Sequence, residues 1–431
     1  MAGPNSRNGP GPFILESFRV RNFRCIQDAT LDVEPDITVL VGRNDTGKTA
    51  LLEALNVYGR LNEAGHRELR TLWDSDDVPE GVSFVARWAS TSEGVTCEHV
   101  MPGTVGEPEV ITRGDRRYVW HPRERRLEAD GTVHNCRTVS VRPVCLGMVN
   151  PDAWRTETDL PEPICADLAI VARLPRGTPP YLFHPQALAT GVPMEVDAVG
   201  GAGFGWAMWL QRLVGRRDGT LEKLESCLRG LFPFFRRIRG VEDRVEVKRT
   251  VLSADGTPIE KAGTRGFRDE RYLDRVARSE SERRVEYSIP AQREGALFED
   301  EDWVPAHAES AGVLIASAYL TLAWTCDPES MVSVEEPENG LNADIATRMM
   351  EVFLEVVRER RLQLIMTTHD AMWLDYVEPR SVRVVTRDTD GTSVHAGVES
   401  MEAIKDSGYH LSESMLLDGP EALLRGRRED R

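Results

Sequence analysis

Residues 37–55 read ITVLVGRNDTGKTALLEAL. The first five are a short continuous apolar run, the pattern of a strand buried on both faces. Residues 42–49 then match G-x-x-x-x-G-K-[ST] at every position. From residue 49 to about 60, Leu51, Leu52, Leu55 and Tyr58 fall on one helical stripe. A buried strand, a glycine-bounded loop and a helix in immediate succession predict an α/β fold built around a phosphate-binding loop. A chance glycine-rich turn would not carry both flanking elements.

The residue types in the loop follow from the task of holding an anion. Gly42 and Gly47 let the backbone turn so that successive N–H groups face inward, past Asn44, Asp45 and Thr46. The helix N-terminus, beginning around Thr49 and Ala50, adds its partial positive charge. Lys48 can bridge β- and γ-phosphates, and the Thr49 hydroxyl can hold Mg²⁺.

The complementary half of such a site lies far downstream. Residues 331–338, MVSVEEPE, form a hydrophobic strand ending in two carboxylates, Glu335 and Glu336, before a turn at Pro337. One carboxylate suits the magnesium shell and the other an attacking water. Adjacent strand residues point to opposite sides, so the two can take different tasks only where the strand ends. A second apolar strand, 362–367, ends at His369. A lone histidine at a strand end is usually structural.

Residues 17–33, SFRVRNFRCIQDATLDV, with the loop at 42–49 and the downstream strings MVSVEEPENGLN and LIMTTHD, together resemble the ABC-type AAA family ATPases of the RecF/SMC/overcoming-lysogenization-defect group. The resemblance covers roughly 13–60 and 300–415. It implies an α/β P-loop NTPase fold, ABC ATPase head-like, with ATP and Mg²⁺ as cofactors. In its terms 42–49 is Walker A, with Ala50 just beyond. Glu335 takes the magnesium-holding Walker B position, one methylene longer than the usual aspartate. Glu336 is the catalytic glutamate and His369 the switch histidine. Arg24 would lie near the base or α-phosphate, although a simple strand-edge role is equally open. Ser310 and Gly312 fall where the family has the signature motif that grasps the γ-phosphate bound by the opposite subunit. The usual Leu-Ser-Gly-Gly string is absent, and an ordinary helix cap fits the same residues. Gln186 and Gln292 are both open as the Q-loop residue.

The chain has 431 residues and net charge −17. A surface this acidic repels phosphate backbones on average. Residues 212–249 run the other way, with eleven Lys/Arg against six Asp/Glu. There FPFFRRIRG interleaves aromatics with arginines, either a nucleic-acid patch or a helical face packed by Phe232, Phe234 and Phe235. Seven cysteines without C-x-x-C spacing make a zinc site or disulfide framework improbable. The longest nearly apolar stretch, 313–326, is too short to span a bilayer. Residues 1–12 lack the apolar core of a signal peptide. The expectation is a cytoplasmic protein with no membrane partner.

The expected organisation is a flexible tail at 1–12 and an N-terminal ATPase part at 13–77, followed by an antiparallel β subdomain at 78–150. A mixed α/β inserted region at 151–300, the C-terminal ATPase part at 301–420 and a second tail at 421–431 complete it. No heptad array interrupts 60–300, which excludes the long coiled coils of the SMC branch. After His369 too little chain remains for a metal-dependent Toprim nuclease module. The resemblance therefore implies a homodimer or higher oligomer joined through ATP, regulating a separately encoded effector such as a nuclease in an anti-phage defence or toxin-type system. A RecF-like DNA repair or maintenance ATPase that binds nucleic acid, and an ATP-binding scaffold with little turnover, are the alternatives.

Overall fold

The computed structural model describes residues 13–64, 81–90, 96–102, 108–129, 131–136, 159–171, 180–190, 192–193, 199–247, 278–290, 301–389, 391–395 and 410–427. The expected tail at 1–12 lies outside them. The chain divides into two compact units, one of residues 1–182 with 326–431, the other of 183–325. The expected boundary at 300/301 therefore moves, and the helix that follows Ser310 groups with the inserted unit.

The first unit opens with β1 (Phe13–Phe23) and β2 (Ile26–Asp32), then β3 (Ile37–Val41) and α1 (Lys48–Ala64). β1 largely alternates buried and less buried residues, as a strand with one covered face must. β3 is buried at all five positions. Next come β4 (Ser83–Ser90), β5 (Thr96–Pro102), β6 (Glu109–Arg113), β7 (Arg116–His121), β8 (Arg126–Ala129) and β9 (Thr132–Asn135), followed by α2 (Glu162–Val171). β4 pairs with β1, so the expected β subdomain is not separate. It continues one antiparallel sheet in the order β2-β1-β4-β5-β6-β7-β8-β9. Asp167 of α2 is anchored to this sheet by Arg113, by Arg116 at 2.9 Å and by the Tyr118 hydroxyl at 2.5 Å. A buried polar chain joins the sheet to α1: the Tyr58 hydroxyl meets His99 Nδ1 at 2.7 Å, and His99 Nε2 meets Glu109 at 2.5 Å. Each group is satisfied, the condition for tolerating polar atoms there.

The second unit holds α3 (Pro185–Ala189), β10 (Val192–Pro193), α4 (Ala207–Arg216), α5 (Thr220–Leu231), β11 (Arg237–Val247), β12 (Arg278–Pro290), β13 (Glu301–Pro305) and α6 (Ala311–Thr325). Its strands are antiparallel, ordered β10-β12-β11 with β13 on β12. Residues 313–325 of α6 are buried on every side, so the long apolar stretch is a core helix. Phe232 and Phe235 are buried as expected, but Phe234 is 46% exposed.

The chain returns to the first unit with β14 (Met331–Glu335), α7 (Ala343–Arg360), β15 (Gln363–Thr367), β16 (Val382–Asp388), β17 (Gly391–His395) and α8 (Leu411–Asp418). Asn342 caps α7 by accepting from the Ile345 N–H at 2.9 Å. The sheet order is β14-β15-β3-β16-β17, with the first four strands parallel and β17 antiparallel. α1 shares one hydrophobic cluster with both sheets, from Phe18 and Phe84 of the antiparallel sheet to Leu40, Ile365 and Val385 of the parallel one. Gln363 also ties the sheets: its side chain accepts from the Leu15 N–H at 3.0 Å and donates to the Leu15 carbonyl at 2.8 Å. Residues 421–427, expected to be tail, belong to a 3₁₀ helix, Pro420–Arg427. Glu421 in it pairs with Arg43 of the loop at 2.9 Å, which gives the segment a fixed place.

Candidate functional site

The loop at 42–49 leaves the C-terminal end of β3, where parallel sheets gather their binding loops. Its glycines are required by close neighbours. A Cβ on Gly42 would lie 2.3 Å from the Val385 carbonyl oxygen. Gly47 has φ +105°, and a Cβ there would lie 2.6 Å from Thr392 Oγ1. Asp45 also adopts positive φ, +63°. β16 and β17 brace the loop from outside: Thr392 Oγ1 donates to the Thr46 carbonyl at 2.8 Å and Arg387 to the Asp45 carbonyl at 3.2 Å. Asn44 and Asp45 are exposed while Thr46 and Ala50 are buried.

Lys48 is folded over the loop, donating to the Gly42 carbonyl at 3.0 Å and the Arg43 carbonyl at 2.9 Å. Burial pushes its ammonium below the ordinary lysine range, and the negative charges of Glu336, Glu335 and Asp45 oppose that shift. A buried cation facing two carboxylates inside a glycine loop is built for a polyanion.

Glu335 is the last residue of β14, and the Thr49 hydroxyl donates to its Oε1. Its own N–H donates to the Tyr181 carbonyl at 3.0 Å. Glu336 has φ +41°, a backbone conformation uncommon outside glycine. Its N–H is held by the Thr367 carbonyl at 3.1 Å and the Thr367 hydroxyl at 3.2 Å. The left-handed residue breaks strand alternation, so the second carboxylate leaves the first and meets His369 Nε2 at 3.0 Å. The two carboxylates thus engage different partners.

Thr49 and Glu335 together present hard oxygen donors beside a phosphate loop, the donor set Mg²⁺ takes when substrate oxygens and water complete its octahedron. Among the described residues no group of three or more His, Cys, Asp or Glu could hold a metal alone.

Arg24 pairs with Glu53 of α1 and lies 5.9 Å from the Phe23 ring. Burial raises the Glu53 carboxyl above its usual range, Arg24 opposes this, and Glu335 adds to it. Its visible partner is therefore a helix carboxylate. Ser310 and Gly312 belong to the second unit, where the Ser310 hydroxyl accepts from the Val313 N–H at 3.4 Å as a helix cap. Gln186 lies in α3 of that unit, and Gln292 is outside the described residues. Sequence reasoning missed Glu338, Thr392 and Arg387. Glu338 stood in the quoted EEPE string; the other two carry no local signal.

Known proteins match at the segments that hold this geometry. Residues 14–64 match the family described as AAA ATPase domain. Residues 234–375 match the family described as AAA domain, putative AbiEii toxin, Type IV TA system. The DNA replication and repair protein RecF of Psychromonas ingrahamii is 51% identical over 45 residues, 10% of this chain and 12% of that protein. Among solved structures, a Smc head domain with an extended coiled coil, bound to the C-terminal domain of ScpA, derived from Pyrococcus furiosus, has TM-score 0.47 at 12% identity, covering 92% of this chain and 100% of that one. The SMC head domain from Thermotoga maritima has TM-score 0.39 at 11% identity, covering 89% and 98%. Loop, sheet order and matched segments define an ABC-type P-loop ATPase fold. Within that class residues 14–64 and 234–375 are similar to AAA ATPase domains, and a segment of 45 residues is similar to RecF. Among the described residues no helix is long and apolar enough to cross a membrane.

Proposed function

We propose that this chain binds and hydrolyses ATP with Mg²⁺, and that the nucleotide joins two copies which regulate a partner. The observation that carries the hydrolytic reading is the meeting of Thr49 with Glu335 and of Glu336 with His369 at 3.0 Å, beside buried Lys48. Loop N–H groups and Lys48 take the β- and γ-phosphates, Lys48 exchanging loop carbonyls for phosphate oxygens. Thr49 and Glu335 would hold Mg²⁺, which would supply charge neutralisation on the phosphate oxygens. Glu336 orients a water toward the γ-phosphorus and accepts its proton. The new P–O bond forms from that water, the bond to the β–γ bridging oxygen breaks, and ADP leaves with the electron pair. His369 holds Glu336 and contacts the γ-phosphate.

For the assembly, Ser310 and Gly312 at the start of α6 reach a γ-phosphate held by the opposite copy. The partner is a separately encoded effector such as a nuclease, in an anti-phage or toxin-type cytoplasmic system; the toxin wording of the family matched at 234–375 favours this reading. A RecF-like role on DNA is the second reading. It is favoured by the RecF match and by the face of β11 and β13, where Arg239 stacks 3.8 Å from the Trp303 ring centre and Phe234 stands exposed nearby in sequence. DNA-stimulated ATP turnover with a steep salt slope would select it.

Glu336→Gln is the decisive experiment. The amide keeps the shape but loses the base, so turnover should fall by about 10²-fold or more while binding survives. Light scattering after size exclusion should then show a dimer with Mg-ATP, absent in the Glu336→Gln, Ser310→Arg double variant. Wild-type turnover in Glu336→Gln would remove it as the base, and a mass indifferent to ATP would remove the two-headed assembly.

A further inference from the structure

The turn after β14 carries a third carboxylate, Glu338, two residues beyond Glu336. Its Oε1 accepts from the Thr368 hydroxyl at 2.7 Å, the His369 N–H at 2.8 Å and the Asp370 N–H at 3.4 Å. These donors span the segment that presents the His369 ring. His369 is therefore held twice by one turn, its ring by Glu336 at 3.0 Å and its main chain by Glu338. The turn itself is closed by the Asn339 N–H on the Glu336 carbonyl at 2.9 Å and the Leu341 N–H on the Glu338 carbonyl at 3.0 Å, with Gly340 at φ +84°. Neither carboxylate can move far without the other.

From this geometry we infer that Glu338 is a positioning residue, which sets the His369 imidazole against Glu336 and thereby acts on the hydrolytic step without touching the nucleotide. A buried carboxylate collecting three donors fixes a loop more firmly than a neutral acceptor, because bonds to an ionised group are shorter and stronger. Burial works against ionisation here and pushes the carboxyl up, while the His369 and Thr368 donors pull it down. Groups that hydrogen-bond behind a functional side chain commonly change activity by about 10- to 100-fold when removed, as they do behind metal ligands.

The inference rests on the hydrolytic reading above, so the test includes one readout with turnover and one without. In Glu338→Ala, kcat for ATP should fall about 10- to 100-fold with KM within about threefold, since neither Lys48 nor Thr49 is disturbed. Glu338→Gln retains an acceptor of the same shape and should recover most of the loss. If Glu338 works through His369, the Glu338→Ala, His369→Ala double variant should be no slower than His369→Ala alone. Losses that multiply, or an equal rise in KM, would overturn the positioning role. The second readout is the ring resonance of His369 in a ¹³C–¹H correlation spectrum, identified by its absence in His369→Ala. It should move in Glu338→Ala and return in Glu338→Gln. A resonance unmoved by Glu338→Ala overturns the inference whether or not the wild type hydrolyses ATP. A moved and rescued resonance in a protein without turnover sustains the coupling of Glu338 to His369 and rejects the hydrolytic reading alone.

Discussion

The five-stranded sheet takes its neighbours from opposite ends of the chain, β3 lying between β15 and β16, whereas in the eight-stranded sheet β4 to β9 pair in the order they are made. Antiparallel neighbours close through short turns, so their ends hold turn residues such as Gly114, at φ +56°, and little else. Parallel neighbours need a crossover between them. Each crossover returns a strand whose C-terminal end faces the same side, and there the loop, the acidic pair and His369 converge. The antiparallel sheet pairs its polar residues with one another, inside as with His99 and Glu109 or on the surface as with Arg19 and Asp28. The parallel sheet spends them on its exposed edge of loops. Chemistry thus concentrates where distant segments are forced to meet.

The largest expected effect lies in the antiparallel sheet. Trp120 is fully buried on β7, and Trp120→Ala should destabilise the chain by about 3–5 kcal/mol in urea unfolding. The folded fraction should keep its nucleotide affinity; a parallel loss of affinity would mean that the sheet shapes the site, and the contrast would fail. Lys48→Ala should show the converse. Removing charge-assisted hydrogen bonds worth about 1.5–3 kcal/mol should weaken binding of a fluorescent ATP analogue by about tenfold to a hundredfold, with the melting temperature of the nucleotide-free protein little changed.

A pH titration sharpens the same point. Burial holds Lys48 below its ordinary 10.5 in the free chain, and bound phosphates favour its charged form. Binding therefore takes up a proton once the pH passes the free-state value, and affinity should fall above it with a limiting slope of about tenfold per pH unit. Below that value Lys48 contributes no slope. Lys48→Arg should flatten the alkaline fall, because guanidinium stays charged. The smallest effect belongs to the surface pair Arg19–Asp28, at 2.6 Å and about 43% exposed on both sides. The hydrogen bond from Arg19 lowers the Asp28 carboxyl below 3.8. Its stabilisation is present above that value and is lost as the pH falls through the lower folded one. Arg19→Ala should cost less than about 1 kcal/mol, measured as a shift in urea midpoint at neutral pH that shrinks in acid.

The strand before the loop, the helix after it and the strands at 331–335 and 363–367 were legible because their signals are local. An apolar run shows burial, and glycines at fixed spacing show a backbone that must bend. The reach of the antiparallel sheet was less legible: nothing within residues 83–90 says that they pair with β1 rather than start a new domain. The same holds for 421–427, where Glu421 gains its place only from Arg43. For Arg24 the motif leaves a place near the nucleotide and a strand-edge role equally open, and only the fold shows its guanidinium meeting Glu53, one helical turn beyond Thr49.

Sequence alone determined the chemical inventory: a glycine loop with Lys48 and Thr49, two adjacent carboxylates at a strand end and a histidine at the end of the next strand. Each depends on spacing within a few residues, and backbone conformation responds to neighbours at that range. Tertiary structure alone decided which of these groups meet. Thr49 reaches Glu335, His369 reaches Glu336, and Glu338 bonds the main chain of the histidine segment. It also decided why Gly42 admits no side chain, since the Val385 carbonyl that would collide with one comes from a strand hundreds of residues away. Such contacts follow from strand order and register, which are fixed when the whole sheet packs, and no periodicity in the chain encodes them.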